Sequence, residues 1–374
     1  MRVMALHAED KQQPGACEIY RVIQPFHELQ KRGWQVGWDN MRSVFKEWFV
    51  AAQQGRGGEA VHQLFSQLDM IVLPRTRIDE QEAAGFVDSF FDAARFYGIK
   101  TVYEVDDDFT NEYRTVIEGS MSAIASKCDA ITVTTPYLAD TMRKRFNKPV
   151  FVLPNFLAPE IWRYGEVNRP LPEDTVMIWL SGSSTHEQDW KVLENVLPPL
   201  LQKHPQAMLA ICGYHPDYLK GIDGVLYEEG RDYITYASMV RQSDIVLAPV
   251  DPTDLFNMGK SPVKATEGQG AVRKVQNQLC GAAVVATDNP VYRLTIRNGV
   301  DGLLVEHTPE AWFEALDKLL VDKEMRFRLQ KAAYKRVWVK GEWDVSRQWV
   351  QWANAYNKIG NFKRKIALEG VKEA

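Results

Sequence analysis

The segment FNMGKSPVKATE, residues 256–267, follows an apolar run, IVLAPVDPTD, that reads as a strand and its exit loop. Ser261 is a favoured N-cap and Pro262 suits a first helical position, so a helix is expected to open here with its unpaired amides exposed. Such an end attracts anions, and Lys260 and Lys264 add two full charges at its mouth. Glu267, three residues after Lys264, shares its helix face and is placed to accept hydrogen bonds from ribose hydroxyls. Together these residues read as a seat for a nucleoside diphosphate. The plain alternative is a solvated Lys-Glu pair on an ordinary helix surface.

Three further segments end in chemistry-bearing residues. VYEVDDDF, residues 102–109, closes a strand with Asp106, Asp107 and Asp108, whose mutual repulsion calls for a basic or hydroxylated neighbour. A solvated turn capping the next helix would explain the same run. In WLSGSSTH, residues 179–186, Gly182 and the serines let backbone approach a phosphate or sugar, and His186 is able to donate to an oxygen; a surface or capping histidine is the ordinary reading. PGACEIYR, residues 14–21, makes a tight turn at Gly15 into a helix that carries Tyr20 and Arg21. Arg21 suits an anionic ligand, although a structural salt bridge explains it nearly as well.

These segments must be held by strands, because short β-branched runs alternate with longer amphipathic stretches. Strands are expected at residues 2–6, 35–38, 70–73, 100–105, 130–134 and 150–153, with helices at 18–31, 80–97 and 136–146. A proline-rich break at 154–172 precedes a second set of strands at 176–180, 207–211, 225–227, 245–249, 283–287 and 303–305. Helices are expected there at 187–203, 233–242, 309–320, 323–339 and 344–358. Such alternation implies an α/β protein with parallel strands, since each crossover needs room for a helix. Two such units, 1–158 and 173–343, leave a cleft at the carboxyl ends of their strands, where ligands of open α/β sheets bind.

The whole-chain numbers exclude more than they identify. The 374 residues carry 45 Lys and Arg against 49 Asp and Glu, a formal charge of −4, which argues against binding nucleic acid through the overall field. Cys17, Cys128, Cys212 and Cys280 lie far apart and read as free thiols. The apolar run Val3 to Leu6 is too short for an export signal and no run approaches a bilayer span, so a cytoplasmic protein is expected. The tail, with Lys363, Arg364 and Lys365 beside Phe362 and Ile366, is a candidate for a weak membrane or partner contact. No Gly-x-Gly-x-x-Gly follows the first strand, and no Walker loop, Gly-x-Ser-x-Gly elbow or His-Glu-x-x-His occurs.

The order of segments resembles the retaining, family-4-like group of GT-B-fold glycosyltransferases (glycosyl transferases group 1). The stretches that carry the likeness are PGACEIYRVIQPFHELQKRGW, VYEVDDDF, CDAITVTTPYLADTMRKRFNKPVFVLPNFLAPEIW, SGSSTHEQDW, and SDIVLAPVDPTDLFNMGKSPVKATE with GAAVVATDNPVYR and NGVDGLLVEHTPEAW. The resemblance implies two Rossmann-like domains facing each other across a cleft, with the terminal helix, within 344–374, packing back onto the first. It implies Gly15, Gly182, Lys260, Ser261, Lys264 and Glu267 on the donor side and Asp106, Asp107, Asp108, Tyr20 and Arg21 on the acceptor side. Lys264, Asp107 and His186 are the expected catalytic groups. One departure stands out: GQGAVRKVQNQLC separates Glu267 from Gly281, about nine residues more than the family pattern, so the extra segment is either a loop that brings Arg273 and Lys274 near the donor, or Arg273 and Gln276 take the usual Lys and Glu places; the intact FNMGKSPVK before Glu267 favours Glu267.

The activity so implied is sugar transfer from a nucleoside-diphosphate sugar to an acceptor hydroxyl, with retention, no metal and no further cofactor. The acceptor is open: a saccharide, a lipid-linked saccharide, a protein, a small molecule or a modified nucleic-acid base. A sugar-nucleotide 2-epimerase and a non-catalytic nucleotide-sugar-binding protein are the competing readings.

Overall fold

The computed structural model describes residues 1–7, 14–76, 80–109, 115–164, 172, 174–229 and 232–362. Every strand expected from the sequence is present. In the first half these are β1 (Arg2–His7), β2 (Gln35–Asn40), β3 (Met70–Pro74), β4 (Lys100–Val105), β5 (Ala130–Val133) and β6 (Val150–Val152). The second half holds β7 (Val176–Gly182), β8 (Ala207–Gly213), β9 (Val225–Glu228) and β10 (Ile245–Ala248), a hairpin of β11 (Arg273–Val275) and β12 (Gln278–Cys280), then β13 (Ala283–Thr287) and β14 (Leu303–Val305). Each half builds a six-stranded sheet, in the orders β2-β1-β3-β4-β5-β6 and β14-β13-β10-β7-β8-β9. All pairings within those two sheets are parallel. Central strands such as β3, β4 and β13 are buried along their whole length, which is why they read as unbroken apolar runs.

Helices cover both sheets. The stretch expected as one helix at 187–203 is broken, because Pro198 and Pro199 fit the first turn of Leu197–Lys203 and cannot continue a preceding helix. The helix expected at 18–31 is interrupted by a π-helical turn, Ile19–Ile23, before Gln24–Gln30. Helices Met41–Gln53, Gly57–Phe65 and Thr115–Lys127 were not expected from the sequence.

The chain crosses between the sheets twice, and the crossings pair. Leu157 N–H donates to the Trp343 carbonyl at 2.8 Å and Val345 N–H to the Leu157 carbonyl at 3.0 Å. Helix Val345–Gly360 then packs on Gln24–Gln30, with Tyr356 edge-on to Phe26 and Trp352 against Phe156. One apolar cluster therefore runs through both halves, including Phe26, Phe156, Trp162, Trp179, Trp338 and Trp352. Aromatic burial on this scale makes the seam a core in its own right. Most of the proline-rich stretch after Tyr164, and the basic residues 363–365 with Ile366, lie outside the described residues. No described helix is long and apolar enough to cross a membrane.

Candidate functional site

The carboxyl ends of β7 and β10 bring the singled-out residues of the second half together. After β10 the chain forms the short helix Leu255–Gly259 and then, past Lys260, Ser261 and Pro262, the helix Val263–Gly270. Ser261 is not the N-cap. That position falls to Pro262, whose carbonyl accepts from Ala265 N–H at 3.0 Å, while the Ser261 hydroxyl accepts from Asn155 Nδ2 at 3.0 Å in the crossover segment. A proline at Pro262 supplies the helical φ but no side-chain acceptor, which leaves the serine free to bridge the domains.

Lys264 and Glu267 share one helix face as their spacing predicts, and that face points into the protein. Glu267 is only 5% exposed, so the solvated-pair alternative fails. Its Oε1 accepts from the Tyr20 hydroxyl at 2.6 Å, across the domain seam, and its Oε2 from the Tyr236 hydroxyl at 2.9 Å. Burial raises the Glu267 carboxyl to about 7, against the lowering effect of the two tyrosines and Lys264. Lys264 Nζ lies 3.1 Å from His186 Nε2. Burial, reinforced by the charge of Lys260, lowers the Lys264 ammonium to about 8.

His186 completes this corner, at the end of the 3₁₀ turn Ser184–His186 that follows β7. Its Nδ1 is 2.7 Å from Asp189 Oδ2. Burial and the charge of Lys264 lower the imidazole to about 4, so it is neutral at physiological pH. An ionised carboxylate only accepts, which puts the ring proton on Nδ1 and leaves Nε2 as an acceptor for Lys264. The sequence reading made His186 a donor to a ligand oxygen; here its free nitrogen is turned to the lysine instead. Gly182 makes the approach possible, since a Cβ there would meet His186 Cδ2 at 2.7 Å, a Trp190 ring carbon at 3.0 Å and Lys264 Nζ at 3.1 Å.

The acidic run faces this corner from the first sheet, with its members in different surroundings. Asp106 and Asp108 are buried, and Asp107 is part-exposed. Arg75, at the exit of β3, lies 3.3 Å from Asp106 and 3.2 Å from Asp107 and supplies the basic neighbour that their repulsion called for. Asp106 above all holds the Arg75 guanidinium well above its usual range. Asp108 abuts Gly259: a Cβ on that glycine would lie 2.4 Å from the Asp108 Cβ, so loops of the two halves touch here. Gly15 caps the first helical turn, its N–H donating to Glu18 Oε2 at 2.8 Å, with residues 8–13 beside it outside the described set.

Tyr20 and Arg21, expected on the acceptor side, are both core residues. Tyr20 reaches Glu267, as above. Arg21 is 1% exposed and cannot reach a ligand. Its Nε donates to Glu104 Oε1 at 2.6 Å, and one terminal nitrogen donates to Asn155 Oδ1 at 2.9 Å and to the Leu153 carbonyl, with the guanidinium over the Trp352 ring. Of the two readings of Arg21, the structural salt bridge is the one observed.

The extra segment after Glu267 is the β11-β12 hairpin. Arg273 pairs with Asp244, just before β10, and Gln276 is exposed at the hairpin tip. Both therefore sit toward the amino ends of the strands, the opposite edge from Lys264. Their claim to the places of Lys264 and Glu267 is overturned. Asp189, Arg75, Tyr236 and Asn155 were not singled out from the sequence. For Asp189 a signal existed in its three-residue spacing from His186. Among the described residues no group of three or more His, Cys, Asp or Glu is placed to hold a metal ion, and the described cysteines are free thiols.

Residues 167–336 match the family model described as glycosyl transferases group 1. The match covers less than half of the chain. Outside it the chain shares the GT-B fold of solved glycosyltransferases: one from Rickettsia africae ESF-5 aligns at TM-score 0.64 with 12% identity over 97% of this chain and 99% of that one. Anabaena Alr3699/HepE, solved in complex with UDP, aligns at TM-score 0.60 with 13% identity over 96% of this chain and all of that one. A D-inositol 3-phosphate glycosyltransferase of Corynebacterium jeikeium (strain K411) is 28% identical over 187 residues, which span 48% of this chain and 43% of that protein. The chain thus spans less than half the length of this curated relative. The group 1 segment contains the Lys260, Lys264, Glu267, Gly182 and His186 corner described above.

Proposed function

We propose that the protein transfers a sugar from a nucleoside-diphosphate sugar to an acceptor hydroxyl, with retention of anomeric configuration and without a metal. The observation that carries this reading is the convergence of Lys264, His186 and Glu267 at one sheet edge inside a group 1 segment. Cleavage of the anomeric C–O bond leaves charge on the diphosphate, and a catalyst must stabilise that charge more in the transition state than in the ground state. Lys264 and Lys260 supply two cations for it at the mouth of the helix Val263–Gly270. The acceptor oxygen bonds to the anomeric carbon on the face the diphosphate leaves, and its proton passes to the departing phosphate oxygen. No protein base is then needed. Glu267 takes the ribose hydroxyls once they replace a tyrosine hydroxyl, and Asp107, steadied by Arg75, orients the acceptor.

The test incubates the protein with nucleoside-diphosphate hexoses, uridine donors first because Alr3699/HepE was solved with UDP-glucose, together with saccharide and lipid-linked acceptors. The expected result is release of the nucleoside diphosphate and an α-linked product from an α-linked donor. A sugar altered at C2 while still attached to its nucleotide would mean an epimerase. Donor binding with no turnover on any acceptor would mean a binding protein. Inverted product would remove the retention step.

A further inference from the structure

Asp189 lies in the short helix Glu187–Trp190, one turn beyond the strand end that carries Gly182 and His186, and is 3% exposed. Its carboxylate holds both loops of the corner. Oδ2 accepts from His186 Nδ1 at 2.7 Å and lies 3.6 Å from Lys260 Nζ. Oδ1 accepts from the Asp251 backbone N–H at 2.8 Å and from Asn257 Nδ2 at 2.7 Å, tying down the segment that leads to Lys260 and Lys264.

We propose that Asp189 is a positioning residue, which acts through the His186 imidazole to aim the Lys264 ammonium at the donor diphosphate and to keep it charged. The chain of hydrogen bonds has one direction. Lys264 donates to Nε2, and Nδ1–H donates to Asp189, because a carboxylate has no proton to give. Fixing the proton on Nδ1 is what leaves a lone pair facing the lysine; the other tautomer would turn an N–H against the ammonium. This is the logic by which a second group sets the orientation of a functional histidine. Charge adds to geometry, since Asp189 and Glu267 oppose the burial and the Lys260 repulsion that lower Lys264. On its other side Asp189 is faced by Asp251, His307 and Tyr292, and His186 is faced by Lys260 as well as Lys264.

The proposal rests on the reading of Lys264 as the diphosphate lysine, and two measurements separate the two claims. The first is the pH profile of donor kcat/KM in the wild type and in Asp189→Asn. Loss of the Lys264 proton should give the wild type an alkaline limb near pH 8. In the variant the limb should move to lower pH, as expected when an opposite charge that raises the lysine is removed. A purely structural Asp189 would lower activity by the same factor at every pH and leave the limb in place, which would overturn the proposal. No alkaline limb in the wild type would instead sink the reading of Lys264. The second is the tautomer of His186 in the full chain, read from imidazole ¹⁵N shifts and assigned by loss of its signal in His186→Gln. Nδ1–H is expected, and Nε2–H would overturn the proposal whether or not Asp189→Asn folds.

Discussion

Lys264→Ala is expected to lower kcat about 10²- to 10³-fold, the usual cost of removing one preorganised group that stabilises transition-state charge. Donor KM should change far less, since the lysine's contribution grows as the diphosphate leaves. The size of the effect follows from burial. Lys264 is half-buried beside His186 and Gly182, where its charge acts in a lower dielectric than bulk water. Steady-state rates on a saturating donor check this. A kcat within threefold of the wild type would remove Lys264 from the chemistry and with it the mechanism proposed above.

Arg21→Met is expected to destabilise the fold by about 3–5 kcal/mol, because it leaves the Glu104 carboxylate buried without its partner. The loss reaches beyond one ion pair. The same guanidinium holds Asn155, and Asn155 holds Ser261, so the first sheet, the crossover and the approach to the helix Val263–Gly270 are joined in one chain of contacts. Urea unfolding of the variant checks the magnitude. Combining it with Glu104→Leu should recover much of the loss, since an apolar replacement of both partners removes the unpaired charge. A loss below 1 kcal/mol in the single variant would show that the network is not the anchor its geometry suggests.

The strands were legible because parallel sheets buried on both faces need continuous apolar runs, and runs as short and β-branched as MIVLP and AVVAT fit a buried strand better than a helix. The helix Val263–Gly270 was legible from Pro262 and the Lys264 to Glu267 spacing, though its cap was misplaced by one residue. Less visible was what lies between segments distant in sequence. Arg75 meets Asp106 and Asp107 only because β3 and β4 are neighbours, and Tyr20 meets Glu267 only across the seam. The hairpin after Glu267 was read as a loop, because its turn at Gln276 and Asn277 lacks the Asn-Gly or Asp-Gly pair that marks such turns, yet both residues take positive φ there. Arg21 shows the opposite failure. Its charge suggested a ligand, and only the fold reveals Glu104 waiting for it.

The central claim, that the corner of Lys260, Lys264 and Glu267 seats a nucleoside diphosphate, is tested most directly by calorimetric titration of the wild type with UDP, GDP and ADP and with the 2′,3′-dideoxy form of whichever binds best. One ribonucleotide should bind, and its dideoxy form should bind at least about tenfold more weakly, because it has no hydroxyls to exchange for a tyrosine hydroxyl on Glu267 and forfeits those charge-assisted hydrogen bonds. Equal affinity for the two forms, or no heat with any nucleoside diphosphate at millimolar concentration, would contradict the account.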